Sequence, residues 1–106
     1  MRTATTVDLQ AIAERLTARG IPARVEQTGG GVATIFVGTH DHEGRFDVEV
    51  GPGWFDGPGW TEPKAHREHL AIGPGRDPNR FTYAEKDWTD EDIVDCIVKY
   101  HEEERA

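Results

Sequence analysis

The tetrapeptide Gly-Pro-Gly-Trp occurs twice between Gly51 and Trp60, and Gly-Pro-Gly returns at Gly73, Pro74 and Gly75. Proline has no N–H to give a ladder and glycine has no side chain to pack. The stretch therefore reads as a turning loop through which neither a helix nor a central strand can run. Yet it carries Trp54, Phe55, Asp56 and Trp60. Large aromatics on such a loop either lid a small core or form a contact surface preorganised by the turns. The sequence leaves both readings open.

Regular structure must lie to either side. Leu9, Ile12, Ala13 and Leu16 repeat at helical spacing and form one apolar stripe. Thr5 or Thr6 can cap the start. Gly20 suits the left-handed position past the end, Ile21 can pack back on Leu16, and Pro22 blocks continuation. The pattern predicts a helix over residues 6–19. A second helix is predicted over 89–103. Thr89 and Asp92 form a capping box, Trp88 can staple onto Ile93, and Ile93, Cys96, Ile97 and Tyr100 supply the stripe.

Between the helices, residues 22–27 alternate and 32–38 form a β-branched and aromatic run. Residues 45–51 alternate with Phe46, Val48 and Val50 inward and Arg45, Asp47 and Glu49 outward. His69 to Ile72 is a candidate fourth strand, and Phe81 to Tyr83 can touch the sheet edge. The core expected from these patterns is Leu9, Ile12, Leu16, Val25, Ile35, Phe46, Val48, Ile93, Ile97 and Tyr100. The order α-β-β-β-(β)-α predicts an α+β fold, a two-layer sandwich. Its three- to four-stranded antiparallel sheet carries the N-terminal and the C-terminal helix on one face. At 106 residues, a single domain over 1–106 is expected.

Charge narrows the partners. The net charge is −8. Residues 1–50 hold seven acids against five bases, and residues 51–106 hold thirteen against seven. Such a surface repels a phosphate backbone and attracts basic partners. The α-β-β-β-α order is also that of the double-stranded RNA-binding domain, whose last helix starts with lysines. Here it starts Asp90-Glu91-Asp92, so direct nucleic-acid binding in that mode is not expected. No apolar run approaches a membrane span, so no membrane partner is expected. The N-terminus shows no signal-peptide pattern, and the single Cys96 builds no disulfide framework. These features point to the cytoplasm. Cys96 itself reads as a structural thiol on the inner stripe.

His40, His42, His66 and His69 are the only metal-like set, as His-x-His and His-x-x-His, with Asp41 or Glu43 as an oxygen donor. The first part is similar to the His-x-His-x-Asp-His signature of metallo-β-lactamase-like hydrolases. Gly44 and Arg45 stand where that motif has Asp and His. No cofactor is expected, and metal binding or metal-dependent hydrolysis is the alternative reading. Gly29 to Gly31 reads as a hairpin turn and not a phosphate loop, since no helix N-terminus follows.

The stretch from Val7 to Val37, with Asp8-Leu9-Gln10-Ala11-Ile12-Ala13 and Gly20-Ile21-Pro22-Ala23-Arg24-Val25-Glu26, resembles small acidic proteins of actinobacteria and their phages. So does Gly51-Pro-Gly-Trp54-Phe55-Asp56. That resemblance covers about half the chain and implies no activity, cofactor or site; it implies a mobile-element accessory protein. The expected function is a non-enzymatic, acidic protein-interaction module. Its partner would be a protein, basic or nucleic-acid-binding, contacted through Trp54, Phe55, Asp56 and Trp60.

Overall fold

The computed structural model describes residues 6–29, 32–54 and 64–105. The first helix begins later than the stripe suggests. Asp8 is its N-cap, its carboxylate accepting from the N–H groups of Gln10 and Ala11 at 3.0 and 3.2 Å. Thr6–Asp8 form a short strand instead (β1), and α1 runs Leu9–Ala18. The difference has a packing cause. Val7 is buried in the core, which an extended segment achieves by pairing with Lys64–His66 (β5) in a separate two-stranded sheet. The end of α1 follows the sequence. Gly20 has φ +84°, Ile21 N–H returns to the Leu16 carbonyl and Gly20 N–H to that of Thr17, the two bonds of a Schellman cap.

Ala23–Gly29 (β2), Val32–His40 (β3), Phe46–Trp54 (β4), Ala71–Gly73 (β6) and Thr82–Tyr83 (β7) form one antiparallel sheet in the order β2-β3-β4-β6-β7. Both weakly patterned segments, around Ile72 and Tyr83, do join it. Asp90–Arg105 is α2, with Thr89 and Asp92 exchanging the reciprocal bonds of a capping box at 2.9 and 3.1 Å. Ala33, Ile35, Val37, Val48, Val50 and Ile72 point to one face, where Leu9, Ile12 and Leu16 of α1 and Ile93, Val94 and Ile97 of α2 close over them. The fold is α+β with both helices on one side of the sheet. Val25, Tyr100 and Trp88 are partly buried against this core.

Two β-bulges correct the sequence reading. The first lies in the Gly-Pro segment. Val50 pairs with Ile35 and Gly53 with Ala33, so Gly51 and Pro52 together oppose Thr34. The strand therefore continues through Gly51-Pro52-Gly53-Trp54 rather than turning. Proline is tolerated because it sits at a bulge, and because β6 pairs with β4 only as far as Gly51.

The second bulge lies in β3. Val48 pairs with Val37 and Phe46 with His40, leaving Gly38 and Thr39 opposite Asp47. Gly38 takes φ +83°, and a Cβ there would sit 2.1 Å from the Asp47 carboxylate. The bulge re-aims β4 locally. Phe46 is buried but leaves the main core to stack on Phe36 at 4.9 Å, and Asp47, expected outside, is only 4% exposed.

Candidate functional site

Beyond the two bulges β3, β4 and β6 alternate regularly, while β2 shifts register between Gln27 and Gly29, and the face opposite the helices carries the complementary set of residues. Thr34 and Phe36 of β3, Glu49 and Gly51 of β4, and Ala71 and Gly73 of β6 fall on it by register. Among the described residues no helix and no second sheet covers this face, and the loop after β6 crosses one end of it at Gly73. Glycine at 51 and alanine at 71 leave a trough where larger side chains would stand, and the loop after β6 forms its wall. The result is a groove of about 410 Å³, bordered by Thr34, Glu49, Arg80 and Phe81. Gly73 also lets the backbone at Arg80 pass close, since a Cβ there would lie 2.1 Å from the Arg80 carbonyl. Phe81 and Tyr83 stay 46% and 58% exposed and meet edge to face at 5.1 Å. An aromatic pair left in water at a groove edge is the kind of feature partner contacts use.

Trp54 closes β4, with its backbone paired to Val32 beside this groove. Phe55, Asp56 and Trp60 lie outside the described residues, as does the side chain of Trp54.

A polar assembly around Asp47 has no counterpart in the sequence pattern, which places that residue outside. Asp47 accepts from Arg76 Nη1 at 2.8 Å and from Thr39 N–H at 3.0 Å. Burial pushes its carboxyl up, but the Thr39 N–H and the Arg76 guanidinium outweigh that and hold it below its ordinary range. Arg76 also faces Asp41 at 3.4 Å and Glu104 at 3.6 Å. Asp41 is held low mainly by the Arg45 N–H, against a rise from burial, with the Glu43 N–H and Arg76 adding to the lowering. His101 of α2 is almost buried, its Nε2 lying 3.9 Å from Asp47 without a hydrogen bond. Both oxygens of Asp47 are already engaged, so the group ties the β3–β4 bulge to α2 rather than presenting a free base. The signal that could have found it is Gly38, a lone glycine inside a strand pattern.

The acids of α2 are also less available than their number implies. Asp90 pairs with the buried Arg67 at 2.9 Å, and Glu91 with Arg15 and Arg19 of α1. Glu103 pairs with Arg80, and Glu104 with Arg76. Arginines from three segments thus close over one acidic helix. Cys96 is half-buried and burial pushes its thiol up, which keeps it in the unreactive form.

The histidines are dispersed. His40 ends β3, donates from Nδ1 to the Asp41 carbonyl at 2.9 Å and meets Phe46 edge to face. His42 lies in the following turn, His66 in β5 and His69 in the short 3-10 turn after it. Among the described residues no group of three His, Cys, Asp or Glu side chains is placed to hold a metal ion.

Family models, curated proteins and solved structures were each compared with the chain, and none matches it. No helix among the described residues is long and apolar enough to cross a membrane.

Proposed function

We propose that this chain is a non-enzymatic protein-interaction module of the cytoplasm. Its contact surface is the uncovered face of the sheet together with the segment from Trp54 to Trp60. The observation that supports this is the groove on a face that carries no helix and no second sheet among the described residues, with exposed Phe81 on its border and Tyr83 packed beside it. A sheet that buries one face normally presents a polar other face. Here that face carries Arg24, Glu26, Thr34 and Glu49 but is broken by a trough at Gly51 and Ala71 with an aromatic ring on its border, which suits a chain segment or a side chain laid into it.

The net charge of −8 favours a basic partner, by steering and by selection against other acidic surfaces. A host nucleic-acid-binding protein is one such partner, blocked by carboxylates offered where phosphates would sit. Because α2 spends most of its carboxylates on arginines, affinity is assigned to the groove and the aromatics, and charge supplies the approach.

The test is binding by three variants with unchanged melting temperature. Ala71→Arg fills the trough, Trp60→Ala removes a loop aromatic, and Glu14→Ala alters the exposed outer side of α1. A partner held by wild type and by Glu14→Ala, and lost by the first two, supports the proposal. A partner held equally by Ala71→Arg and Trp60→Ala contradicts it.

A further inference from the structure

The outer edge of β2 is a strand edge that no other strand pairs with among the described residues. Its hydrogen-bonding phase is fixed by one bond. Gly38 N–H donates to the Pro22 carbonyl at 2.7 Å while Ala23 sits opposite Val37. In an antiparallel ladder this makes Ala23–Val37 a non-hydrogen-bonded pair and Arg24–Phe36 the bonded one. The N–H and C=O groups of Ala23, Val25 and Gln27 therefore point away from β3, toward the free edge.

The charges on this edge are arranged about the same centre. Arg24 and Glu26 flank Val25 and share the uncovered face of the sheet, opposite Phe36 and Thr34. Within one chain they form an ion pair with each other. Edge strands are usually protected by like charges that repel a copy of themselves. Here the charges are opposite and symmetric about Val25, so an antiparallel copy finds its complement.

We propose that β2 pairs with β2 of a second copy of this chain, antiparallel and in register about Val25. In that arrangement Val25 faces Val25, and Ala23 of each copy faces Gln27 of the other, all as hydrogen-bonded pairs. Arg24 of each copy faces Glu26 of the other as a non-hydrogen-bonded pair, where side chains approach most closely. The two-fold axis stands perpendicular to the sheet, which makes the interface isologous. Residues directly opposite in a sheet share a face, so both helix layers lie on one side of the doubled sheet. Both uncovered grooves lie together on the other, and the dimer would be bivalent toward a partner. A one-residue slip in register breaks both the bonding phase and the charge match.

The experiment is sedimentation equilibrium of the full chain over a range of concentrations, at low ionic strength. Wild type is expected to move between 11.8 kDa and twice that mass. Arg24→Glu puts acid against acid and should weaken association by roughly tenfold or more. Val25→Pro removes the outward N–H while sparing the bonds to β3, and should also give a monomer; its melting curve reports whether the fold survives. Arg24→Glu combined with Glu26→Arg restores the complement and should restore the dimer. A wild type that stays monomeric throughout overturns the proposal. So does a dimer indifferent to Arg24→Glu and Val25→Pro, which would mean another interface, or a double reversal that stays monomeric. None of these outcomes depends on the groove's having a partner.

Discussion

Arg76 donates to the Asp47 carboxylate at 2.8 Å across the β3 bulge, where the sequence pattern calls for an outward-facing acid. The bond joins the loop after β6 to the second residue of β4, and His101 of α2 packs against the same carboxylate.

Asp47→Asn should destabilise the protein by about 1–3 kcal/mol at neutral pH. It removes one member of a paired, mostly buried assembly, while Arg76 keeps some access to water. The pH dependence follows from the direction of the shift. The folded carboxyl lies below its ordinary value of 3.8, so its contribution is complete above that value. It is lost as the pH falls through the lower folded value. Urea midpoints at pH 7 and pH 3 should therefore separate more for wild type than for Asp47→Asn. Equal separations would contradict the role given to this carboxylate.

Gly38 and Gly20 have nearly the same positive φ, 83° and 84°, but different surroundings. Nothing lies within 4 Å of a Cβ at Gly20, whereas one at Gly38 meets Asp47. Gly20→Ala should cost about 1 kcal/mol, the strain of the backbone alone. Gly38→Ala should cost at least about 2 kcal/mol, since clash adds to strain. Equal losses in chemical denaturation would mean that the bulge relaxes freely.

Ile97 is fully buried on the inner stripe of α2 against the sheet. Ile97→Ala should cost about 2–5 kcal/mol. A loss below about 0.5 kcal/mol would show that α2 does not hold the sheet in the way its packing implies.

Much of this fold was legible because local signals agreed with the tertiary arrangement. The Gly20-Ile21-Pro22 stop, the Thr89–Asp92 box and the Val32–Val37 run each state their conformation within a few residues. The misreadings arose where distant partners decide. Asp8 caps α1 because β5, more than fifty positions on, pairs with Thr6 and Val7. Pro52 stays in a strand because β6 stops pairing at Gly51. Asp47 is buried because Gly38 makes a bulge and Arg76 supplies a cation from another loop. For the candidate site, Gly51 and Gly73 stand out in the sequence as turn residues, and only the register sets Gly51 beside Ala71 and Gly73 beside Glu49 along one groove. Phe81 and Tyr83 carried no pattern that told an exposed rim from a sheet edge.

We propose the groove side of the sheet as the contact surface. Backbone amide chemical shifts of the labelled protein, recorded with and without a bound protein partner, test it most directly. The largest changes are expected to cluster at Thr34, Glu49 to Gly51, Ala71 to Gly73 and Phe81. Changes confined to the solvent-facing sides of α1 and α2, with the groove residues unmoved, would contradict it.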